Sequence, residues 1–140
     1  MSQENVEFIE ALMTGGGDMD KQAVLEALPE LIAQTCAPDI EWVEDPQRAD
    51  SHVYHGHEGV QQSFERWLEQ WDEYAGEAER FVDCGDNVLV VAHERGRGAT
   101  SQASVSSRIY MAFTIRAGKI TRYREFYDEQ AALKAVGLAE

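Results

Sequence analysis

Tyr123, Glu125 and Tyr127 alternate along one segment, Tyr123-Arg124-Glu125-Phe126-Tyr127, and alternate residues of a β-strand share a face. Just upstream, Val105, Ile109, Met111, Phe113 and Ile115 alternate with Ser106, Arg108, Tyr110, Ala112, Thr114 and Arg116, so this stretch has one apolar and one polar face. If Met111 and Phe113 face inward, the neighbouring strand presents Tyr123, Glu125 and Tyr127 on the same side, with Arg122, Arg124 and Phe126 outward. A carboxyl group between two tyrosines on an apolar face is desolvated; its pKa rises, and near neutrality it can serve as general base or acid. The alternative for Glu125 is an ion pair with a strand-neighbour arginine.

The other reactive residue types are less ordered. His52, His55 and His57 crowd one segment and His93 stands apart, at spacings too irregular for a metal site, and none is expected. Cys36 and Cys84 fit no ligand spacing and are too few for a disulfide scaffold, so they read as reduced thiols. Gly15-Gly16-Gly17 has no Lys-Ser/Thr after it and no strand before it, so it is no phosphate loop. No cofactor is expected.

The elements that must position these groups follow from periodicity. Val6, Ile9 and Met13 mark a first helix that the glycine run stops; Asp18 or Asp20 caps a second carrying Val24, Leu25 and Leu28. Pro29 breaks or restarts that helix, and Leu31 and Ile32 continue on a short piece ended by Pro38-Asp39. Ile40 to Glu44 reads as a short strand, and Asp45-Pro46 opens a polar loop to Gly56. Val60, Phe64, Trp67, Leu68 and Trp71 then give a helix at about 58–74 with one broad apolar face, which must pack in the concave side of a sheet. Trp71 and one face of Trp67 are read as core, Phe64 as pocket wall. Strands are predicted near 77–84, 87–97, 104–116 and 119–127, joined by turns into an antiparallel meander, and a last helix from Asp128 to Val136 ends at Gly137.

With 140 residues the chain fits one domain, residues 1–140, of α+β layout. Twelve Lys and Arg against 26 Asp and Glu give a net charge of -14, which disfavours nucleic acid and anionic membrane as partners. No apolar run approaches the roughly 20 residues of a membrane span and the N-terminus has no secretory signal, so a cytoplasmic protein is expected.

Six segments in this order carry a resemblance: Gly17-Asp18-Met19-Asp20, Pro38-Asp39-Ile40-Glu41-Trp42, Asp45-Pro46, Tyr54-His55-Gly56-His57-Glu58-Gly59-Val60, Gly118-Lys119-Ile120 and Tyr123 to Asp128. Over nearly the whole chain the sequence resembles the SnoaL-like branch of the nuclear transport factor 2-like superfamily, which includes polyketide cyclases, ketosteroid isomerases and limonene epoxide hydrolases. The resemblance implies a cone-shaped α+β barrel: a strongly curved antiparallel sheet wrapped around a long helix, with N-terminal helices covering a deep apolar pocket. It implies no metal and commonly a homodimer through the outer sheet face, for which Arg108, Tyr110, Ala112, Arg122 and Arg124 would serve.

Three candidate catalytic residues follow. Glu125 in Arg-Glu-Phe-Tyr-Asp is similar to an acidic group of the epoxide hydrolases. Arg95 lies in a strand similar to one carrying their Arg-x-Asp pair; here the second member is Arg97, so one carboxylate is missing, and an Arg95–Glu125 pair is expected to bind an oxygen-rich ligand. Asp45 resembles the proton-shuttling aspartate of the isomerases, or else is a turn-forming residue before proline. The isomerases' oxyanion donors are replaced by Glu10 and Met111. Trp42, Tyr54, Phe64, Trp67, Met111, Phe113, Tyr123 and Tyr127 are the expected ligand-contacting residues, with Tyr54 helping to close the mouth. An acid-base enzyme acting on an apolar or aromatic oxygen-bearing substrate, a non-catalytic carrier and a scaffold acting through its sheet surface are the functions in competition.

Overall fold

The structure, a computed structural model, describes residues 2–13, 17–18 and 20–139. Its elements in chain order are α1 (Ser2–Leu12), β1 (Gly17–Asp18), α2 (Lys21–Thr35), β2 (Cys36–Val43), β3 (Val53–His55), α3 (Gly56–Glu69), β4 (Trp71–Cys84), β5 (Asn87–Gly98), β6 (Ser104–Arg116), β7 (Lys119–Phe126) and α4 (Glu129–Ala135). The strands form one curved, open sheet in the order β1-β4-β5-β6-β7-β2-β3.

β4 to β7 are the expected antiparallel meander. At its last turn Ala117 and Gly118 both have positive φ, 50° and 75°, the geometry that lets a two-residue turn follow the twist of its strands. The sheet is nevertheless mixed. β2 lies parallel to β7, Trp42 beside Tyr123 and Val43 beside Arg124, because the chain between them crosses over through α3 and the meander.

Strand alternation gives the sheet two apolar faces. On the concave face, Val88, Val90, Phe113, Ile115, Ile120, Tyr123 and Ile40 of β2 pack with Val6 and Ile9 of α1, Leu28 and Ile32 of α2 and Val60 of α3. On the convex face, Leu89, Val91, Tyr110 and Ala112 are covered by Ala132 and Val136. Tyr110 and Ala112, expected on an outward dimer face, are therefore buried under α4, and Tyr110 donates to Glu129 at 3.0 Å. Arg124 likewise bends over to the carbonyl of Ala135 at 3.3 Å.

Several boundaries differ from expectation. Asp20 caps α2, accepting from the backbone N–H of Gln22 and Ala23, but the helix runs unbroken through Pro29. Exposed on the solvent side, the proline ring costs one backbone hydrogen bond, while Leu28 and Ile32 on the buried side hold the turn together. Pro38 and Asp39 lie inside β2 instead of ending a helix, and β3 occupies part of the expected loop. α3 stops at Glu69, so Trp71 opens β4 instead of completing the helical stripe. Thr14, Gly15, Gly16 and Met19, which include the glycines expected to stop the first helix, lie outside the described residues.

Candidate acid-base site

Parity along β5 places Val88, Val90, Ala92 and Glu94 on the concave side and turns Arg95 to the other. Arg95 is exposed beside Ala75 and Ser106, so the expected Arg95–Glu125 pair does not form. Glu94 is buried in its place, 2% exposed.

Parity along β7 places Tyr123 and Glu125 on the concave side as expected. Glu125 is paired across β6 with Met111, and Tyr123 with Phe113, their rings 5.1 Å apart. The Tyr123 hydroxyl donates to Glu125 Oε2 at 3.0 Å; Arg48 Nη1 and the backbone N–H of Asp45 donate to Oε1 at 3.3 and 3.4 Å. With 14% of its side chain exposed, Glu125 is desolvated, and burial raises its pKa despite the opposing effects of Tyr123, the Asp45 amide and Arg48. Arg48 loses solvation as well, but Glu125, Asp50 and Glu44 hold it charged.

Glu94 forms a second carboxylate-tyrosine centre. Tyr127 donates to Oε1 at 2.8 Å and Tyr74 to Oε2 at 2.9 Å, with Ser107 at 3.4 Å from Oε1. Burial first, and then the nearby Glu94, push the Tyr74 and Tyr127 phenols far above their ordinary range; burial and Glu125 do the same to Tyr123. All three remain hydrogen-bond donors at any physiological pH.

Asp45, 4% exposed, links the two centres to the loop that follows β2. Its Oδ1 accepts from Gln47 N at 2.9 Å in a turn, and its Oδ2 accepts from Tyr127 N at 2.9 Å. Both oxygens are thus engaged by backbone amides. Beside it, buried Glu44 accepts from the His52 amide at 3.0 Å, and Arg66 reaches Tyr54, Asp50 and Glu44 and touches the His52 ring. Tyr54 is half-buried at this rim, in register with Trp42.

The aromatic residues form a chain across the concave face. Trp42 stacks on Tyr123 with centroids 3.9 Å apart and meets Phe64 at 5.4 Å; Phe64 meets Trp67 at 6.4 Å, Trp67 meets Tyr74 edge-on at 4.6 Å, and Tyr74 meets Trp71 at 5.2 Å. A cleft of about 800 Å³ opens elsewhere, between α1 and the β6–β7 turn, lined by Phe8, Asp86, Ile115 and Arg116 among others, and none of the carboxylates above borders it.

Glu94, Arg48 and Tyr74 escaped the sequence reading. Glu94 was accessible through the same parity that identified Glu125, since Val88 and Val90 set the inward face of its strand; Arg48 sits in an irregular loop with no periodic signal. Among the described residues no group of three His, Cys, Asp or Glu could hold a metal ion, and no helix is long and apolar enough to cross a membrane.

The SnoaL-like domain family matches residues 19–123, and the chain belongs to that family. Among solved structures it is similar to a protein from Jannaschia sp. CCS1 named as a SnoaL-like polyketide cyclase (18% identity, TM-score 0.71, covering 99% of this chain and 94% of that one). It is also similar to a nuclear transport factor 2-like protein from Burkholderia xenovorans LB400 (24% identity, TM-score 0.69, 97% and 98%). A third similar structure is TerC co-crystallised with polyporic acid (18% identity, TM-score 0.64, 93% and 98%). No curated protein matches the chain.

Proposed function

We propose that this SnoaL-like protein binds a small apolar or aromatic, oxygen-bearing compound over the concave face of its sheet and acts on it by acid-base chemistry of the cyclase, isomerase or hydrolase type. The observation that carries the reading is Glu125: a largely buried carboxyl group with raised proton affinity, held by Tyr123 at 3.0 Å on a face lined by Trp42, Phe64, Met111 and Phe113, with Trp67 against Phe64. Such a group takes a proton from carbon or oxygen at neutral pH more readily than a solvated glutamate does, and returns it without leaving the site. Asp45, by fixing Tyr127 and the loop that bears Arg48, acts as a positioning residue. The co-crystal of TerC with polyporic acid is a precedent for small-molecule binding in this fold.

A carrier without catalysis is the second reading, and the Arg48–Glu125 contact at 3.3 Å favours it, because a carboxylate clamped by arginine is an anchor before it is a base. Glu125→Gln separates the two. An enzyme loses roughly 100-fold or more in turnover while keeping its ligand, whereas a carrier shows no turnover to lose and keeps affinity within a few-fold. The wider reading is of a cytoplasmic homodimer paired through the part of the sheet that α4 leaves open, around Arg108 and Arg122, which Glu79 and Glu41 now neutralise at 2.9 and 3.1 Å. A monomer by light scattering at tens of micromolar, a concentration typical of ordinary affinities, would remove the dimer.

A further inference from the structure

Among the described residues every side-chain donor to Glu94 is a neutral hydroxyl: Tyr127, Tyr74 and Ser107. No ion pair to it is found among the described residues. A carboxylate this deeply buried is stabilised only by the hydrogen bonds it accepts, so its surroundings define what it recognises, an O–H group.

The three donors are not equivalent. Ser107 is fixed by register, directly opposite Glu94 on β6. Tyr74 is wedged between Trp67 and Trp71. Tyr127 lies beyond the end of β7, is 38% exposed, and stacks on no other ring among the described residues. Its backbone N–H is pinned by Asp45 Oδ2 at 2.9 Å, so the pivot is fixed while the ring can turn about its two side-chain torsions.

We propose that Tyr127 is a gate whose phenol holds the place at Glu94 that the hydroxyl of a bound compound takes, so that the site selects uncharged, hydroxyl-bearing ligands. The inference rests on the ligand-binding reading above and adds the group that the ligand must carry. When the ring swings out, Glu94 loses a donor it cannot leave unreplaced, and a ligand hydroxyl restores it. An ether offers no proton to Glu94. A carboxylate ligand would meet Glu44, Asp45, Glu94 and Glu125, all buried or nearly so, with Arg48 beside Glu125 and Arg66 beside Glu44 as the arginines paired with them among the described residues.

The test uses the tyrosine side chain as its own probe: 4-methylphenol, its methyl ether and 4-methylbenzoate, titrated by calorimetry or ligand-observed NMR into the wild-type protein, Tyr127→Phe and Glu94→Gln. The wild-type protein is expected to bind the phenol at least about tenfold more tightly than the ether or the benzoate. In Tyr127→Phe the competing hydroxyl is gone, and phenol binding tightens roughly tenfold. In Glu94→Gln the preference for phenol over ether collapses. Phenol affinity that is unchanged or weaker in Tyr127→Phe, an ether that matches the phenol, or no phenol binding to either protein overturns the gate. If Glu94→Gln does not fold, the first two comparisons decide alone. Binding alone is read, so loss of the catalytic role of Glu125 leaves this result standing, and the converse holds.

Discussion

Arg48 meets Glu125 at 3.3 Å across 77 residues of chain, from an irregular loop to the concave face of β7. It is the only basic side chain in contact with that carboxylate among the described residues. Arg48→Met, which keeps the length of the side chain and removes its charge, is expected to raise the Glu125 pKa further, since burial is then opposed only by neutral donors. Carboxyl titration by NMR reads the shift; an unmoved Glu125 would mean that the contact is not maintained in solution.

The same carboxyl makes stability depend on pH with a defined sign. The Glu125 pKa is raised above its ordinary value of 4.5, so the folded state binds the proton more strongly than the unfolded state. Its favourable contribution is present below that ordinary value and is lost as pH rises through the folded pKa. Glu125→Gln, which cannot ionise, should therefore gain stability relative to wild type as the pH of urea titrations is raised from about 4 to about 7. A difference that is flat with pH, or that grows in the other direction, contradicts the buried placement.

Gly96 is required by its neighbours. A Cβ there would lie 2.5 Å from the Glu73 carbonyl oxygen and 2.8 Å from the Trp71 ring, closer than atoms can pack. Gly96→Ala is expected to destabilise the protein by about 2 kcal/mol, as overpacking does, and to displace Trp71. Denaturant titration and tryptophan fluorescence, read together, check both effects.

Pro29 makes the opposite prediction. Inside α2 it withholds one backbone hydrogen bond, and its exposed ring has no core role to lose. Pro29→Ala should stabilise the chain by about 1 kcal/mol or more, read as a higher thermal midpoint.

The meander and the inward face of β7 were legible because period-two alternation survives in single strands such as Ser104–Arg116, where each residue reports its own face. Glu125 and Tyr123 followed from it. Trp71 was misplaced because it continues the helical spacing of Val60, Phe64 and Trp67 by coincidence, while the chain has already turned into β4 at that point. Pro29 misled for a related reason: the buried pair Leu28 and Ile32 outweighs one missing bond, and that balance is tertiary. Arg95 follows from the resemblance alone, whereas the alternation of Val88 and Val90 turns its neighbour Glu94 to the inward face. The contacts of Arg48 and Asp45 depend on a loop meeting a strand far along the chain, and no local pattern encodes that meeting.

The parallel seam between β2 and β7 has a consequence for when the site comes into being. The Asp45 amide reaches Glu125 over 80 residues and the Asp45 carboxylate reaches Tyr127 over 82, so each contact closes a loop that contains the whole meander. Contacts of such long sequence separation pay their loop-closure entropy late. The hairpin β4–β5 can form before β7 is made, whereas Glu125 and the tyrosine two residues on come only with β7 and the residue after it. The carboxylate-tyrosine cluster is thereby completed only when β7 docks beside β2, and refolding should recover the Trp42–Tyr123 stacking signal, in the near-ultraviolet, as its slowest phase.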